Sequence, residues 1–227
     1  MSCPCISDNL ACRRTIGHSL PMHLIVAWCN ESLHWIDNSV FKTVTIMKKC
    51  NNNLIHKYVT IQDLIGKEAH AYVKYIIDKY ESIHKKELYV FVQGHAPHEI
   101  RFPPLVPHNL IASLKQLSPY TGFSQLSGVM TKPQSRTFDF FRQSTQFNPQ
   151  LYMLRGQFVV RGNRIHSHPV KFWKNIESAW KGRMDYDMEL IWGGLFDCFA
   201  SKKCIKSENL TNKFPIFVHG ISECYDR

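Results

Sequence analysis

The sequence predicts an α/β fold in which a mostly parallel β-sheet is flanked by helices within a single domain. Three short apolar runs, at 23–28, 43–47 and 88–92, are typical of buried strands, and an amphipathic helix separates the second run from the third. Parallel strands are joined by helical crossovers that cover both faces of the sheet, so their sequences are apolar throughout rather than alternating. The three runs have that character, and together with the helix they indicate the parallel arrangement.

The helix is the clearest single element of the chain. Its apolar residues recur at i, i+3, i+4, i+7, i+8 and i+11, which places them on one face of an α-helix. Lys67, Lys74 and Asp78 fall off that face. The apolar face consists of Ala69, Tyr72, Val73, Ile76, Ile77 and Tyr80.

The remaining segments are less regular, and we divide the chain into a loose arm at 1–20 and one domain at 21–227. Prolines predict a loop at 96–107, and turn-forming residues predict a long excursion at 118–150. The C-terminal third contains a helix that starts at His168 and Pro169, with Ser167 as its cap. Shorter elements are predicted as a helix at 109–117, a strand at 157–160, a helix from 185 and an edge strand at 214–219.

Charge and targeting signals limit the partners and the location. The chain has 28 Lys and Arg against 18 Asp and Glu, a formal net charge of +10, which favours an anionic partner. No apolar run approaches the ~20 residues that span a bilayer, so we expect no integral membrane segment. An apolar signal-peptide core is absent from the first 20 residues. We therefore predict a cytoplasmic protein.

The cysteines fit the same prediction. There are eight of them, with no CxxC pair, and we expect them to be reduced. Cys3, Cys5 and Cys12 form a CxCx6C pattern that has no matching second half, so we assign no metal ligands.

Polar residues at the strand ends are the first site candidates, because ligands of open α/β sheets bind beyond the carboxyl ends of the strands. Asn30 and Glu31 follow the first strand and can bond a nucleobase or a ribose, although Asn30 equally suits a helix cap. Lys48 and Lys49 end the second strand and can face a diphosphate, whereas lysine pairs are more often simply solvated.

The helix start and the third strand end add further candidates. Glu68 and His70 open the amphipathic helix and could line a pocket, or Glu68 could merely stabilise the first turn. Gln93, Gly94 and His95 follow the third strand. Glycine there permits close approach of a ligand, and histidine can transfer a proton, hold a phosphate or bind a metal.

Two later segments complete the candidates. Gly156 and Gln157 precede a predicted strand, and Asp187 and Glu189 lie on the predicted helix that begins near 185. A carboxylate at Glu189 could act as a general base if burial raises its pKa. The alternative is an exposed glutamate on a surface helix.

Taken together, the motifs resemble a eukaryotic and viral domain family of unknown function. The resemblance covers roughly 22–196. It rests on six motifs in order: NExxxW at 30–35, GKEAH at 66–70, VFVQGH at 90–95, GQFVV at 156–160, HPxxFW at 168–173 and ELIW at 189–192.

That family is in turn similar to the GT-A nucleotide-diphospho-sugar transferases, which implies a GT-A-like, Rossmann-like sheet. The resemblance places Asn30 and Glu31 beside the nucleotide. It places Gly156, Gln157 and Glu189 on the acceptor side, and the ELIW motif adds Trp192 to the substrate-binding residues. One departure concerns the Asp-x-Asp that usually holds a divalent metal, since the equivalent strand here ends in Gln93-Gly94-His95. The resemblance therefore leaves Mn²⁺ or Mg²⁺ open as a cofactor.

The resulting expectation is a glycosyltransferase that moves a sugar from a nucleotide-sugar donor to a glycan, glycoprotein or other hydroxyl acceptor. Glu189, or else Asp187, would deprotonate the acceptor, and Lys48, Lys49 or His95 would screen the diphosphate. One alternative is a metallohydrolase built on His95, His98 and His108. Another is a basic nucleic-acid-binding module, but the lysines are scattered and no basic helix occurs, so we expect no nucleic acid partner.

Overall fold

The computed structural model describes the chain in ranges separated by gaps. The described residues are 20–49, 59–61, 67–96, 110–115, 117, 121–126, 129–130, 152–153, 156–179, 188, 192, 195–196 and 223–225. The predicted arm at 1–20 lies almost wholly outside them.

Nine strands and four helices are described in these ranges. In chain order they are β1 Met22–Trp28, β2 Thr43–Lys48, β3 Val59–Ile61, α1 Glu68–Lys79, β4 Leu88–Gln93, α2 Leu110–Lys115, β5 Thr121–Gln125, β6 Val129–Met130, β7 Tyr152–Met153, β8 Phe158–Arg161, α3 Gly162–Ile165, α4 Val170–Ser178 and β9 Glu223–Tyr225.

Seven of these strands form one sheet in the order β3-β2-β1-β4-β8-β5-β9, and β6 and β7 form a separate ribbon. The pairs β3–β2, β2–β1 and β1–β4 are parallel. The pairs β4–β8, β8–β5 and β5–β9 are antiparallel. The fold is therefore α/β, as predicted, but the prediction of a mostly parallel sheet is wrong for the second half. Apolar runs do not distinguish the two cases, because β8 is buried on both faces like β1.

Each face of the sheet carries its own hydrophobic cluster. Side chains alternate between the faces along a strand, so Ile25 and Ala27 of β1 pack with α1, while Leu24 and Val26 pack on the opposite side with α2. The α1 cluster also contains Met188, Trp192, Leu195 and Phe196, with Trp192 and Phe196 stacked at 5.8 Å between ring centroids. Both faces of the central strands are thereby closed to water.

Most of the elements predicted from periodicity are confirmed. The strands at 23–28, 43–47, 88–92 and 157–160 and the helix over 69–80 each match a described element within one or two residues. The predicted excursion at 118–150 is wrong at Thr121–Gln125, which is the sheet strand β5. The predicted strand at 214–219 and the loop at 97–107 lie outside the described residues.

Helix α4 starts differently from its prediction. Pro169, with extended φ and ψ of −66° and 156°, occupies the cap position and offers no side-chain cap. The Ser167 hydroxyl instead donates to the Arg164 carbonyl oxygen at 2.7 Å. Ser167 therefore closes the turn after α3 rather than capping α4.

A buried charge network closes the amino-terminal edge of the sheet. His23 Nε2 lies 2.5 Å from Glu87 Oε2, and Lys42 Nζ donates to Glu87 Oε1 at 2.7 Å. His23 Nδ1 contacts the Thr43 hydroxyl at 2.8 Å, and the imidazole stacks on Tyr89. Burial alone would raise the pKa of Glu87, but hydrogen bonds from Lys42 and His23 outweigh it and lower the pKa below 4.5.

The lowered pKa predicts a pH dependence of stability. An acid whose pKa is lower in the folded than in the unfolded state stabilises the fold above its unfolded pKa, and that contribution is lost as the pH falls through the folded value. We expect Glu87→Gln to lower the Tm by about 3–10 °C at pH 7, from about 1.5–3 kcal/mol for bonds to a charged group. The difference in Tm between the two proteins should begin to shrink below about pH 4.5 and vanish as the pH falls through the lower pKa of Glu87 in the folded protein.

The measurement is the Tm of both proteins between pH 3 and 7. Asp78→Asn is the control, because its ion pair with Lys74 is solvent-exposed and should change the Tm by less than about 1–2 °C. A gap that stays constant across the pH range would contradict the assigned role of Glu87.

Candidate functional site

The strand order reverses direction between β1 and β4. From β1 the chain moves outward to β2 and β3, and it then returns to place β4 on the other side of β1. In open α/β sheets, ligands bind in the crevice that such a switch point opens at the carboxyl ends of the strands. The residues that follow β1, β2 and β4 meet at this edge.

Glu31 is the centre of the candidate site. Its Oε2 accepts hydrogen bonds from the backbone amides of Cys29 at 2.6 Å and Asn30 at 3.1 Å. The turn is held in place by Trp28, whose indole Nε1 donates to the Glu31 carbonyl oxygen at 2.8 Å. Glu31 Oε1 lies 3.5 Å from His95 Nδ1, with both side chains partly open to solvent. The carboxylate is thus fixed through one oxygen and presents the other.

Gly94 is the reason that Glu31 can reach this position. A Cβ at residue 94 would lie 2.8 Å from Glu31 Oε2 and 3.0 Å from its Cδ, closer than real Cβ contacts come. The glycine backbone is held on both sides: its amide donates to Ala27 O at 3.0 Å, and its carbonyl oxygen accepts from Trp35 Nε1 at 2.9 Å. The sequence analysis expected a ligand to approach Gly94 closely. In the structure, the side chain of Glu31 occupies the space beside this glycine.

The surroundings keep Glu31 ionised. Burial works to raise the pKa of its carboxyl group, but the Cys29 amide, the charge of Lys49 and His95 together outweigh it. The net result is a pKa below the ordinary value of 4.5. At neutral pH Glu31 is a hydrogen-bond acceptor and not a proton donor.

A second polar group lies at the start of α1. Gln93 Nε2 donates to Glu68 Oε1 at 2.7 Å, and Lys49 Nζ lies 3.6 Å from Glu68 Oε2. The positive charge of Lys49 also helps to lower the pKa of Glu31. The structure thereby brings together the residues predicted after β1, β2 and β4 and at the helix start.

Two other candidates point elsewhere. Lys48 pairs in register with Trp28, and strand alternation puts its buried side chain on the sheet face opposite to Lys49. His70 is also buried, and its Nε2 lies 3.9 Å from Glu177 of α4. The expected pair of lysines on one diphosphate is therefore split between the two faces.

The acceptor-side candidates are only partly described. Continuing the β4–β8 register beyond Phe91 and Phe158 places Gly156 and Gln157 at the same sheet edge as Gln93. Gly156 has a φ of 52°, in the left-handed region that favours glycine. Trp192 is fully buried in the α1 cluster, so it is a core residue of the described structure and not part of this edge. Asp187 and Glu189 lie outside the described residues.

The described residues do not fit a resident divalent cation. No group of three His, Cys, Asp or Glu side chains suited to a metal occurs within the ranges given above. Glu31 Oε2 is taken up by backbone amides, and Lys49 lies against Glu68. His98 and His108, which the metallohydrolase alternative requires beside His95, lie outside the described residues.

Cys29 departs from the expectation that the thiols are reduced. It is disulfide-bonded, and it lies directly in the Glu31 turn. Disulfides persist mainly in oxidising compartments, so this bond weighs against the predicted cytoplasmic location, which remains a prediction. Of the described helices, none has the length and apolar character needed to cross a bilayer.

Sequence reasoning assigned no role to Trp28 or Trp35, although both hold the site backbone. Their indoles donate to the carbonyl oxygens of Glu31 and Gly94. A signal was present for Trp35 alone, which is the last residue of the NExxxW motif at 30–35.

One family model matches the chain. Residues 24–119 match the family described as "Protein of unknown function (DUF3431)". The match spans less than half of the 227 residues and includes the NExxxW, GKEAH and VFVQGH motifs, so it confirms the resemblance to a domain of unknown function there. No curated protein and no solved structure matches the chain.

The geometry around Gly94 predicts the effect of one methyl group. In Gly94→Ala the new Cβ would push the Glu31 carboxylate away from the amides of Cys29 and Asn30. We expect the pKa of Glu31 to rise towards 4.5. Carbon-detected NMR titration of the glutamate carboxyls, assigned with Glu31→Gln, measures it.

A matched comparison is Lys49→Gln, which removes a positive charge. This charge lowers the pKa of Glu31 less than the Cys29 amide does, so the variant should raise that pKa less than Gly94→Ala. An unchanged Glu31 titration in Gly94→Ala would show that the two amides do not hold the carboxylate.

Proposed function

We propose that this protein is a glycosyltransferase that binds a nucleotide-sugar donor in the crevice between the carboxyl ends of β1 and β4. The observation that carries the proposal is the convergence of Glu31, Lys49, Glu68 and Gln93 at the point where the strand order reverses. The order β3-β2-β1-β4 is also that of the first four strands in the classic dinucleotide-binding sheet, which supports a Rossmann-like, GT-A-like interpretation.

The chemistry of the cluster suits a ribose next to a phosphate. Glu31 is an ionised acceptor whose Oε1 lies 3.5 Å from His95 Nδ1 in a partly exposed position, and vicinal ribose hydroxyls are good donors to a carboxylate. Lys49, whose side chain is 15% exposed, lies 3.6 Å from Glu68, and its positive charge helps to lower the pKa of Glu31. In the proposed complex Glu31 orients the nucleoside, and Lys49 approaches the diphosphate.

In the proposed reaction, the oxygen of the acceptor hydroxyl attacks the anomeric carbon while the bond from that carbon to the diphosphate breaks. The hydroxyl proton passes to a base, for which Glu189 is the candidate and Asp187 the alternative. The departing diphosphate takes the electron pair, and cationic side chains such as Lys49 stabilise its charge. Stereochemical inversion follows if this displacement is direct.

A thermal-shift screen tests donor binding with the full chain. The probes are UDP, GDP, CMP and dTDP and their sugars, each with and without manganese. A ligand at 100 times its Kd adds about 2.7 kcal/mol, which is roughly 5–10 °C for a chain of this size. We expect one nucleotide class to give that shift and Lys49→Gln to reduce it severalfold.

The matched control is Lys42→Gln, which removes a lysine from the opposite edge of the same sheet and should leave the nucleotide shift intact. If no nucleotide shifts the Tm, or if both lysine variants respond like the parent protein, the proposed donor site is wrong.

Transfer itself is tested at the two carboxylates. We expect Glu189→Gln to lower the turnover of the nucleotide-sugar identified by the screen by about 10²–10⁴-fold, the usual contribution of a general base. Asp187→Asn should have the smaller effect. Both variants should keep the nucleotide-induced rise in Tm, since the base acts on the acceptor. Full transfer activity in both would rule out the assigned bases.

A further inference from the structure

A cavity lies at the amino-terminal edge of the sheet, on the α1 face and away from the β1–β4 crevice. Its volume is about 270 Å³. The first residues of β1, β2 and β4 form its floor, and the end of α1 with the turn after it forms its wall. The lining residues are His23, Thr43, Thr45, Tyr75, Lys79, Ser82, Ile83 and Tyr89.

Tyr75 contributes a polar group to the lining of this cavity. Its side chain belongs to a residue only 6% exposed, and its ring packs edge-on against Phe91. Within the described ranges its hydroxyl has no hydrogen-bond partner. Burial and the neighbouring Tyr89 raise the pKa of Tyr75 above its usual range, so the phenol stays protonated and can donate. The hydroxyl is not one of the fully enclosed polar atoms that lack a partner, so it is reached from the cavity and can donate to a ligand there.

The rest of the lining also offers donors. The Tyr89 hydroxyl accepts the His84 amide at 2.7 Å, which leaves its own proton to donate, and burial raises its pKa. Lys79 is exposed at the end of α1, and the structure resolves no ion pair for it in the part of the chain that is described. Phenol and ammonium donors therefore face one space.

The local charges favour an anion in that space. The lining contains no carboxylate, and Glu87, which bonds the lining residue His23, is already engaged by His23 and Lys42. On α1, Asp78 is paired with Lys74. The ammonium of Lys79 consequently has no carboxylate assigned to it, and an anionic ligand would supply one.

We propose that this cavity is a second binding site, which takes a small oxyanion such as a carboxylate or a phosphate monoester. An oxyanion oxygen accepts the Tyr75 and Tyr89 protons, and Lys79 neutralises the charge at the mouth. Charge-assisted hydrogen bonds of this type are about twice as strong as neutral ones. The volume admits a compact group and not a nucleotide, so the site is separate from the proposed donor site.

NMR titration of the full ¹⁵N-labelled chain with inorganic phosphate and with malonate, against sodium chloride at the same ionic strength, tests the proposal. We expect saturable shifts at the amides of Ser82, Ile83 and His84, and only small shifts with chloride. Saturation with both anions would show a general oxyanion site. Saturation with phosphate alone would identify the ligand as a phosphate monoester, and saturation with malonate alone would identify it as a carboxylate.

A pair of tyrosine variants separates binding from structure. Tyr75→Phe removes only the hydroxyl that lacks a partner, so we expect at least tenfold weaker anion binding with an unchanged or higher Tm. Tyr80→Phe removes a hydroxyl that donates to the His168 carbonyl oxygen at 2.6 Å and does not line the cavity. That variant should lose Tm and keep anion binding.

Lys79→Gln should weaken the binding of both anions more than it weakens the binding of neutral glycerol. Lys49→Gln should leave the anion-induced shifts of the cavity amides unchanged, even if it abolishes nucleotide binding. The proposal is overturned if neither anion saturates the cavity amides up to about 50 mM, or if Tyr75→Phe binds both anions like the parent chain.

Discussion

Burial of strand β1 on both faces is the constraint on which the rest of the structure depends. All seven of its residues are buried, and the six apolar ones are divided between the two hydrophobic clusters, alternating from Leu24 to Trp28. A strand in this position has no solvent face, so its backbone amides and carbonyls must be paired along both edges. Parallel partners β2 and β4 provide that pairing. Polar chemistry is thereby confined to the two ends of the strand.

Each end of the central strands uses its polar residues differently. At the carboxyl end, backbone amides hold one oxygen of Glu31, and the other lies 3.5 Å from His95 Nδ1 in a partly exposed position. At the amino end, His23 and Glu87 bond to each other, and they also bond to the side chains of Thr43 and Lys42. The first arrangement leaves a charged group available, which suits a ligand. In the second arrangement the charged groups are paired with one another, so they are not available to a ligand. The cavity lined by Tyr75, Lys79 and Tyr89 lies beside this network.

The central elements could be predicted because each has a strong local signal. β1, β2, β4 and α1 are long or strongly periodic, and their predicted bounds agree with the structure to one or two residues. β3, β5 and β9 were missed because they are short and, unlike the four-residue β8 (FVVR), β5 (TGFSQ) and β9 (ECY) carry few apolar residues and β3 (VTI) has only three residues. Their identity as strands comes from pairing with distant partners. The antiparallel half was missed for a different reason. A strand that is buried on both faces is apolar throughout, whether it pairs in the parallel or the antiparallel direction.

The site was predictable to the extent that it depends on strand ends. Asn30, Glu31, Lys49, Gln93 and His95 follow apolar runs directly, and a shared sheet edge brings them together. What the pattern could not supply was orientation. His70 lies 3.9 Å from Glu177, and Trp192 packs against Phe158 in the aromatic core. These two outcomes depend on contacts between elements that are far apart in the sequence. The division of Lys48 from Lys49 between the two faces, in contrast, follows from strand alternation.

The contact between Gly94 and Glu31 also bears on the missing Asp-x-Asp. In the GT-A transferases, to which only the proposed function likens this protein, a carboxylate at the inner strand end faces the diphosphate through a metal. Here Gly94 directly follows β4, and the space where a side chain would project is occupied by the Glu31 carboxylate, which follows β1. Two backbone amides fix that carboxylate, the charge of Lys49 helps to lower its pKa, and Lys49 lies 3.6 Å from Glu68. Negative charge is thus retained at the crevice, but it is already matched by donors and cations of the protein. A donor bound in this crevice would meet the acceptor oxygen of Glu31 and the ammonium of Lys49 directly, which suits a ribose hydroxyl and a phosphate better than a carboxylate-bridged metal.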